Sequence, residues 1–403
     1  MPVIEKTVTA EGHLIDSGIM RRIFDTIISD GGSFEIEDFQ IGRSNEEFSQ
    51  ARLHITSPDA AGMNTILLKL SALGCQIDPE RTVSLGEVEA DGVAPPDFYS
   101  TTNQETFVHH DGAWLRVDNL RMDGVIVVSD GRAAIRKFRD LRRGDRVVLG
   151  LSGIKIKPEF AERDRDEFGF MSGDVSSERK VRLAVDRVAE LIRRGNQKVV
   201  AVAGPVVVHT GGAPELARLI RHGYVHALLT GNALPVHDAE AALYGTSLGT
   251  DLNTGKPVEM GHRNHLRAIN EVCRAGSLSD LVEEGRLCSG VMYEAIKAGI
   301  PFSLAGSLRD DGPLPETVTD MNSAQDEHAR ILQGTDIVLM LASMLHSIAV
   351  GNMIPARVLT ICIDINPAVV TKLKDRGSLQ TIGVVTDVGL FLHLLADKLL
   401  NGK

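Results

Sequence analysis

The chain has 403 residues, more than one domain usually holds, and its 43% hydrophobic and 24% charged residues are the proportions of a soluble globular protein. A formal net charge of −11 with no basic block argues against a phosphate-backbone partner, so no nucleic acid is expected. The longest apolar run, Ile337 to Ala342, is too short to cross a bilayer, and the charged, alternating N-terminus MPVIEKTVTAEGHL is no signal peptide. Cys75, Cys273, Cys288 and Cys362 are scattered without a C-x-x-C pair, which predicts reduced core thiols, a cytoplasmic setting and no metal.

Residues 1–92 read as strand, helix, strand, strand, helix, strand. The strands carry period-two alternation (SFEIEDFQIG, QARLHITS) and the helices amphipathic spacing (SGIMRRIFDTIIS, AAGMNTILLKLSALG), which predicts a ferredoxin-like α+β module. The stretch 91–104, DGVAPPDFYSTTNQ, reads as a linker or crossing loop. Within 93–160, short strands broken by Asp-Gly and similar turns (HDGAW, MDGVIVV, SDGRA, RRGDRVVLG) predict a small β-rich region. The remainder, 161–403, alternates near-continuous apolar strands with helices, beginning with a capped helix in SSERKVRLAVDRVAELIRRG. KVVAVAGPVVV reads as one buried strand, VHALLTGN and IPFSLAGS as strand then loop, and TDIVLMLASMLHSIAVGN as strand then helix. RVLTICIDINP is again a strand, and DVGLFLHLLADKLL a closing helix. That pattern predicts a parallel sheet covered on both faces, with ligands beyond the carboxyl ends of its strands.

Those strand ends supply the candidates. Asp364 closes a buried strand just before a helix, the position at which many α/β proteins hold ribose hydroxyls, yet no G-x-G-x-x-G occurs anywhere in the chain. Gly211 and Gly212, preceding a helix, either expose N–H groups to an anion or make a tight turn. Asn232 and Ala233 follow one strand, and LAGSLRDDGPLPE places Arg309, Asp310, Asp311 and Glu316 after another. Ser343 opens a helix whose N–H groups at Met344, Leu345 and His346 would line the crevice; by itself His346 reads as a core residue. Asp387 is suited to cap the last helix, which continues with Val388. His237, Asp238, Glu240, Lys256, His262, Arg263 and His265 cluster between 231 and 270; the absence of H-x-x-x-H or H-E-x-x-H spacing argues against zinc, and leaves acid/base work or carboxylate binding, with a solvated loop as the alternative.

GPVVVHTGG, LLTGNALPVHDAEAALYGTSLG, GHRNHLRAIN, SGVMYEAIKAGIPFSLAGSLRDDGPLPE, LASMLHSIAVGN and CIDINPAVVTKLKDRGSLQTIGVVTDVG together carry a resemblance. The chain resembles, over essentially its whole length, the proteins sharing the lysine-oxoglutarate reductase/saccharopine dehydrogenase (LOR/SDH) conserved region. The best described of these are archaeal-type ornithine cyclodeaminases, also found as the C-terminal part of the cyanobacterial arginine dihydrolase/ornithine cyclodeaminase. The guanidine-cleaving domain of that fusion is not matched, so arginine hydrolysis is not implied.

The resemblance implies a Rossmann-like domain of deoxyhypusine-synthase-like type, with NAD held without a G-x-G-x-x-G loop. The cofactor contacts would fall on Asn232, Ala233, Asp311, Ser343, Met344, Leu345, His346, Asp364, Asp387 and Val388. The implied reaction converts L-ornithine to L-proline and ammonia by internal hydride recycling on bound NAD, in a cytoplasmic homo-oligomer, dimer or tetramer. A carboxylate anchor (Arg263 or Arg309), an acid for the far ammonium (Asp310 or Glu316) and a proton shuttle (Lys256, His237 or His262) are then needed. Two rivals stay open: an NAD-dependent enzyme for another diamino acid such as lysine, and a non-catalytic NAD-containing amino-acid sensor.

Overall fold

The structure, a computed structural model, describes residues 4–12, 14–15, 18–42, 47–77, 81–157, 177–195, 197–252, 254–258, 261–374 and 381–401. The chain divides into two compact units, Met1–Phe170 and Met171–Lys403.

The first unit opens with β1 (Ile4–Gly12), α1 (Ile19–Ser29), β2 (Ser33–Gln40), β3 (Ser49–Ser57), α2 (Ala60–Ala72) and β4 (Gln76–Ile77). These strands form an antiparallel sheet in the order β2-β3-β1-β4, the predicted ferredoxin-like arrangement. Ile19, Ile23 and Ile27, spaced along one face of α1, share a core with Val8, Leu53, Ile55, Ile66 and Leu70. Asp59 starts α2 by accepting the Gly62 N–H at 2.7 Å.

The unit continues with β5 (Ser84–Glu87), β6 (Glu105–His110), β7 (Ala113–Asp118), β8 (Val125–Ser129), β9 (Arg132–Arg136), β10 (Arg146–Leu149) and β11 (Ile154–Lys157), in the sheet order β11-β6-β7-β9-β8-β10-β5. The Asp-Gly pairs do what their chemistry predicts: Asp111 and Gly112 (φ 50 and 77) and Asp130 and Gly131 (φ 50 and 70) make the left-handed turns that match hairpin twist. The segment 91–104 crosses this sheet as a packed loop, with Tyr99 buried and its N–H donated to the Val148 carbonyl at 2.9 Å.

The second unit comprises α3 (Ser177–Arg193), β12 (Val199–Ala203), α4 (Val206–His209), α5 (Ala213–Arg221), β13 (Ala227–Gly231), α6 (Ala233–Tyr244), β14 (Thr246–Ser247), β15 (Thr250–Asp251), α7 (Asn264–Ala275), α8 (Leu278–Glu283) and α9 (Val291–Lys297). It continues through β16 (Phe302–Ala305), β17 (Thr317–Val318), α10 (Met321–Ile331), β18 (Ile337–Leu341), α11 (Met344–Met353), β19 (Leu359–Asp364), α12 (Pro367–Lys374), β20 (Thr381–Val385) and α13 (Val388–Asn401). Seven strands form a parallel sheet, β17-β16-β13-β12-β18-β19-β20. The chain runs outward from β12 to β17 and then returns to the other flank of β12 at β18. Strand order therefore reverses between β12 and β18, and the connections leaving those strands diverge to open a crevice at their carboxyl ends.

Three expectations need correction. KVVAVAGPVVV is not one strand: β12 stops at Ala203, and Val206–His209 is helical despite three β-branched residues. A Cβ at Gly204 would run into the Ala342 carbonyl oxygen, so the chain turns there, and Pro205 already has helical φ −62 and ψ −20. Burial of Val207 and Val208 then overrides their strand preference. LTGN does not lead into a loop, because α6 starts directly at Ala233, with Pro235 in the first turn where no N–H is required. The cysteines are all free, but only Cys75 and Cys362 are buried; Cys273 and Cys288 are exposed, Cys273 on the outward side of α7. Among the described residues, no helix is long and apolar enough to cross a membrane.

The Gly204 contact is a backbone one, so a flexible side chain cannot relieve it. Gly204→Ala should destabilise the protein by about 1–3 kcal/mol, read as a lower urea midpoint at unchanged m-value. A midpoint equal to that of the parent protein would show that the β12 and β18 ends are not in contact.

Candidate active site at the carboxyl ends of the sheet

A cleft of about 390 Å³ lies beyond the carboxyl ends of β13 and β16. Asn232, Ala233, His237, Arg309, Asp310 and Asp311 line it, together with His209, Leu248 and His265. The sequence candidates from two distant loops therefore share one site.

Asn232 organises the loop after β16. Its buried amide oxygen accepts the Leu314 N–H at 3.0 Å and the Thr317 hydroxyl at 2.8 Å, and its Nδ2 donates to the Gly312 carbonyl at 3.1 Å. Most of the hydrogen-bonding capacity of the side chain is thus spent within the chain. Asp310 turns back on the same loop, accepting from the Ser307 N–H (2.7 Å) and the Ser307 hydroxyl (3.0 Å), so it locks the turn at the cleft wall. Asp311 faces the other way and meets His265 Nε2 at 3.3 Å. The guanidinium of Arg309 has no partner among the described residues and is exposed at the cleft.

Three imidazoles meet on the opposite wall. The His209 and His237 rings pack edge-on with centroids 4.7 Å apart, and His265 lies 6.3 Å from His237. Burial, and secondarily the neighbouring His237, pushes His209 down to about 4, so it is neutral at pH 7. Behind His237, with its ring nitrogen Nδ1 3.0 Å away, sits the fully buried carboxylate of Glu240. That carboxylate also accepts from the Thr246 hydroxyl (2.9 Å) and from the Gly249 (3.2 Å) and Leu248 (3.3 Å) N–H groups. Burial by itself would raise the Glu240 pKa, but the hydrogen bonds from His237, Gly249 and Thr246 outweigh it and hold the group below its ordinary value. No cluster of three or more His, Cys, Asp or Glu side chains could hold a metal ion among the described residues.

The residues expected to hold a dinucleotide occupy the adjoining strand ends. Ser343 begins α11 without capping it through a side-chain hydrogen bond, so the first N–H groups of that helix stay open to an anion. Its hydroxyl instead reaches His346 Nδ1 at 3.0 Å. Burial lowers the His346 pKa although Asp310 opposes the shift, so the ring adds no positive charge there at neutral pH. Asp364 accepts the Asn366 N–H at 2.8 Å through one oxygen, leaving the other without a hydrogen-bond partner among the described residues. Exposed Ile365 and Val385 flank it with apolar surface. An open helix N-terminus, a half-satisfied carboxylate and an apolar ledge are the donor, acceptor and stacking groups that a pyrophosphate, a ribose and an adenine require. The residues present fit a dinucleotide.

Other candidates have different work. Gly211 and Gly212 donate their N–H groups to Val208 and Val207 carbonyls at 3.0 and 2.8 Å, and a Cβ at Gly212 would meet Gly389 Cα at 3.1 Å. They form a turn that lets α5 sit against α13. Asp387 caps α13 by accepting the Leu390 N–H at 2.9 Å, with Val388 buried behind it. Glu316 leaves the cleft and accepts the Leu278 N–H at the start of α8. Lys256 and Arg263 are exposed and absent from the cleft wall, and the side chain of His262 lies outside the described residues. Sequence reasoning missed His209, concealed in an apparent strand, and the role of Glu240. The latter carried a readable signal, its i,i+3 spacing from His237 on one helix face.

Comparisons with known proteins agree with this layout. Residues 5–104 match the family model of the LOR/SDH bifunctional enzyme conserved region. Residues 105–185 and 184–395 match the arginine dihydrolase ArgZ-like C-terminal models, described as the first region and the Rossmann fold. The ornithine cyclodeaminase of Methanocaldococcus jannaschii is 47% identical over 98% of this chain and 96% of its own length. The bifunctional arginine dihydrolase/ornithine cyclodeaminase AgrE of Nostoc sp. is 50% identical over 98% of this chain, which spans 58% of AgrE. A crystal structure of AgrE in a ternary complex with ornithine and NAD+ matches at a TM-score of 0.54 and 48% identity, over 98% of this chain and 57% of that one. The apo structure of ArgZ, an arginine dihydrolase from cyanobacteria, matches at a TM-score of 0.86 and 43% identity, over 99% of this chain and 58% of that one. The chain thus belongs to the family of ArgZ-like C-terminal regions, with the LOR/SDH conserved region at its front, whose members include archaeal ornithine cyclodeaminases.

Proposed function

We propose that this protein is an NAD-dependent ornithine cyclodeaminase, converting L-ornithine to L-proline and ammonia. The observation that carries the reading is the convergence, in one cleft beside dinucleotide-type strand ends, of a free guanidinium, two carboxylates and a carboxylate-backed imidazole. The names of the archaeal relatives and the ligands of the AgrE ternary complex support it.

Bound NAD supplies a reversible two-electron acceptor, so the overall reaction needs no external oxidant. Ser343, Met344, Leu345 and His346 would meet its phosphates, Asp364 its adenosine ribose, and Ala233 and Asp311 its cleft-side end. Asn232 contributes by holding the loop, and Asp387 with Val388 by starting the helix that closes the site. Arg309 anchors the substrate carboxylate as a planar charged donor. Asp311, assisted by the field of Asp310, holds the far ammonium. His237 would take a proton from that ammonium, freeing the amine to attack Cα once the α-ammonium has lost a proton to solvent and Cα a hydride, and would return it to the departing α-nitrogen. The ornithine cation then balances against neutral proline and an ammonium ion, with no net proton consumed. Leu248, Ile269 and Val236 exclude water from the apolar side of the cleft. Lys256, Arg263 and Glu316 take no part in this reading.

We further propose a division into a ferredoxin-like module (1–92), a β-rich region (93–160) and the nucleotide domain (161–403), a homo-oligomer, and a cytoplasmic location, which suits four free thiols.

Two outcomes test the reading. Purified protein incubated with L-ornithine and no added NAD should release proline and ammonia in equal amounts without accumulating NADH; net NADH would favour an ordinary dehydrogenase, and inertness a sensor. Asp364→Ala should weaken NAD binding about tenfold or more, the scale of one lost charge-assisted pair, while the parent protein discriminates against NADP because Asp364 repels a 2′-phosphate. Equal affinity of the parent protein for both dinucleotides would remove Asp364 from the ribose.

A further inference from the structure

We infer that Glu240 is the positioning residue that makes His237 a proton carrier, by dictating which nitrogen of the imidazole is bare. The inference rests on the role given to His237 above. Both oxygens of Glu240 face donors alone. Oε1 receives the Thr246 hydroxyl and the Gly249 N–H, while Oε2 receives the Leu248 N–H and faces His237 Nδ1. The Thr246 hydroxyl is fixed as a donor to Glu240 because it already accepts from Asn264 Nδ2 at 3.0 Å. A site built from main-chain N–H groups and a committed hydroxyl is complementary to an anion, so the imidazole nitrogen that faces it carries the hydrogen. Neutral His237 consequently holds its proton on Nδ1 and keeps Nε2 as an acceptor.

The other charged or titratable groups around His237 are His209 on α4, His265 on α7, and Arg309, Asp310 and Asp311 in the loop after β16. None of these is hydrogen-bonded to Nδ1 among the described residues, where Glu240 is the partner. The same carboxylate fixes the segment from Thr246 to Gly249, whose Ser247 hydroxyl lies 2.6 Å from His209 Nδ1 and whose Leu248 holds a left-handed φ of 51 at the cleft wall. One buried charge thus sets the orientation of both packed imidazoles. Strain at a non-glycine residue persists only where its surroundings over-determine it, and the Leu248 N–H donated to Glu240 is such a determinant.

Glu240→Gln separates this role from that of a simple staple. An amide NH2 in this position must face donors whichever way it lies. The least costly arrangement turns it towards His237, whose Nδ1 then accepts and whose Nε2 becomes the protonated nitrogen. In protein labelled with 15N-histidine and studied without cofactor, the spectrum should show His237 as the Nδ1–H tautomer in the parent and the Nε2–H tautomer in Glu240→Gln. Turnover of ornithine should fall roughly 100-fold or more in the variant. Glu240→Asp, which keeps the charge, should keep the Nδ1–H tautomer even where turnover drops. A parent spectrum with the Nε2–H tautomer overturns the inference. So does a Glu240→Gln variant that keeps the parent rate and tautomer, or a Glu240→Asp variant that turns to the Nε2–H tautomer. His237→Asn tells the two readings apart. Undiminished turnover in that variant would remove His237 from the chemistry, while the tautomer spectra would still decide what Glu240 does to the ring.

Discussion

The Ala342 carbonyl occupies the space into which a Cβ on Gly204 would project, at the place where strand order reverses between β12 and β18. Everything at the site follows from that close approach. Gly204 donates its N–H to the Leu341 carbonyl at 3.0 Å, and Ala342, held at φ 48, donates to the Ile363 carbonyl at 2.9 Å. Neither strand can continue, so α4 leaves to one side carrying His209, and α11 leaves to the other with its open N-terminus. The crevice between them suits a phosphate-bearing ligand although no glycine-rich loop exists: backbone donors come from a helix start, and a single glycine serves strand packing.

Two buried polar side chains convert this crevice into a shaped cleft. Asn232 spends its amide on the loop that carries Arg309, Asp310 and Asp311, and Glu240 spends its carboxylate on the hairpin beside His237. Asn232 stands at the entry of α6 and Glu240 about two turns into it, so one helix ties the charged loop after β16 to the wall of imidazoles. A third member of the same stretch, Asp238, points the opposite way and accepts the Val291 and Met292 N–H groups at 2.9 and 2.8 Å. Two acidic positions on α6, Asp238 and Glu240, thereby serve separate purposes, which is why the acidic character of the segment alone says little about its chemistry.

The architecture was largely legible because each element type left a physical trace: alternation in the ferredoxin-like strands, Asp-Gly pairs at hairpins, and uninterrupted apolar runs in the parallel sheet. Asp364 was legible too, as an acid ending such a run. Val206–Val208 were not, since local strand preference lost to tertiary burial, and His209 was hidden with them. The charged residues of the loop after β16 were located but not resolved into roles. Sequence shows that Asp310, Asp311 and Glu316 are close along the chain, but not that Ser307 claims the first, His265 the second and Leu278 the third.

The proposed reaction is a redox-neutral cyclisation within one cleft. L-ornithine deuterated at Cα tests it most directly, with the purified protein, no added nucleotide and the product proline analysed by mass spectrometry. Proline carrying the deuterium at C2, formed with an equal amount of ammonia, is the predicted result. Proline that has lost the label to solvent, or deuterium accumulating in reduced nucleotide, would contradict it.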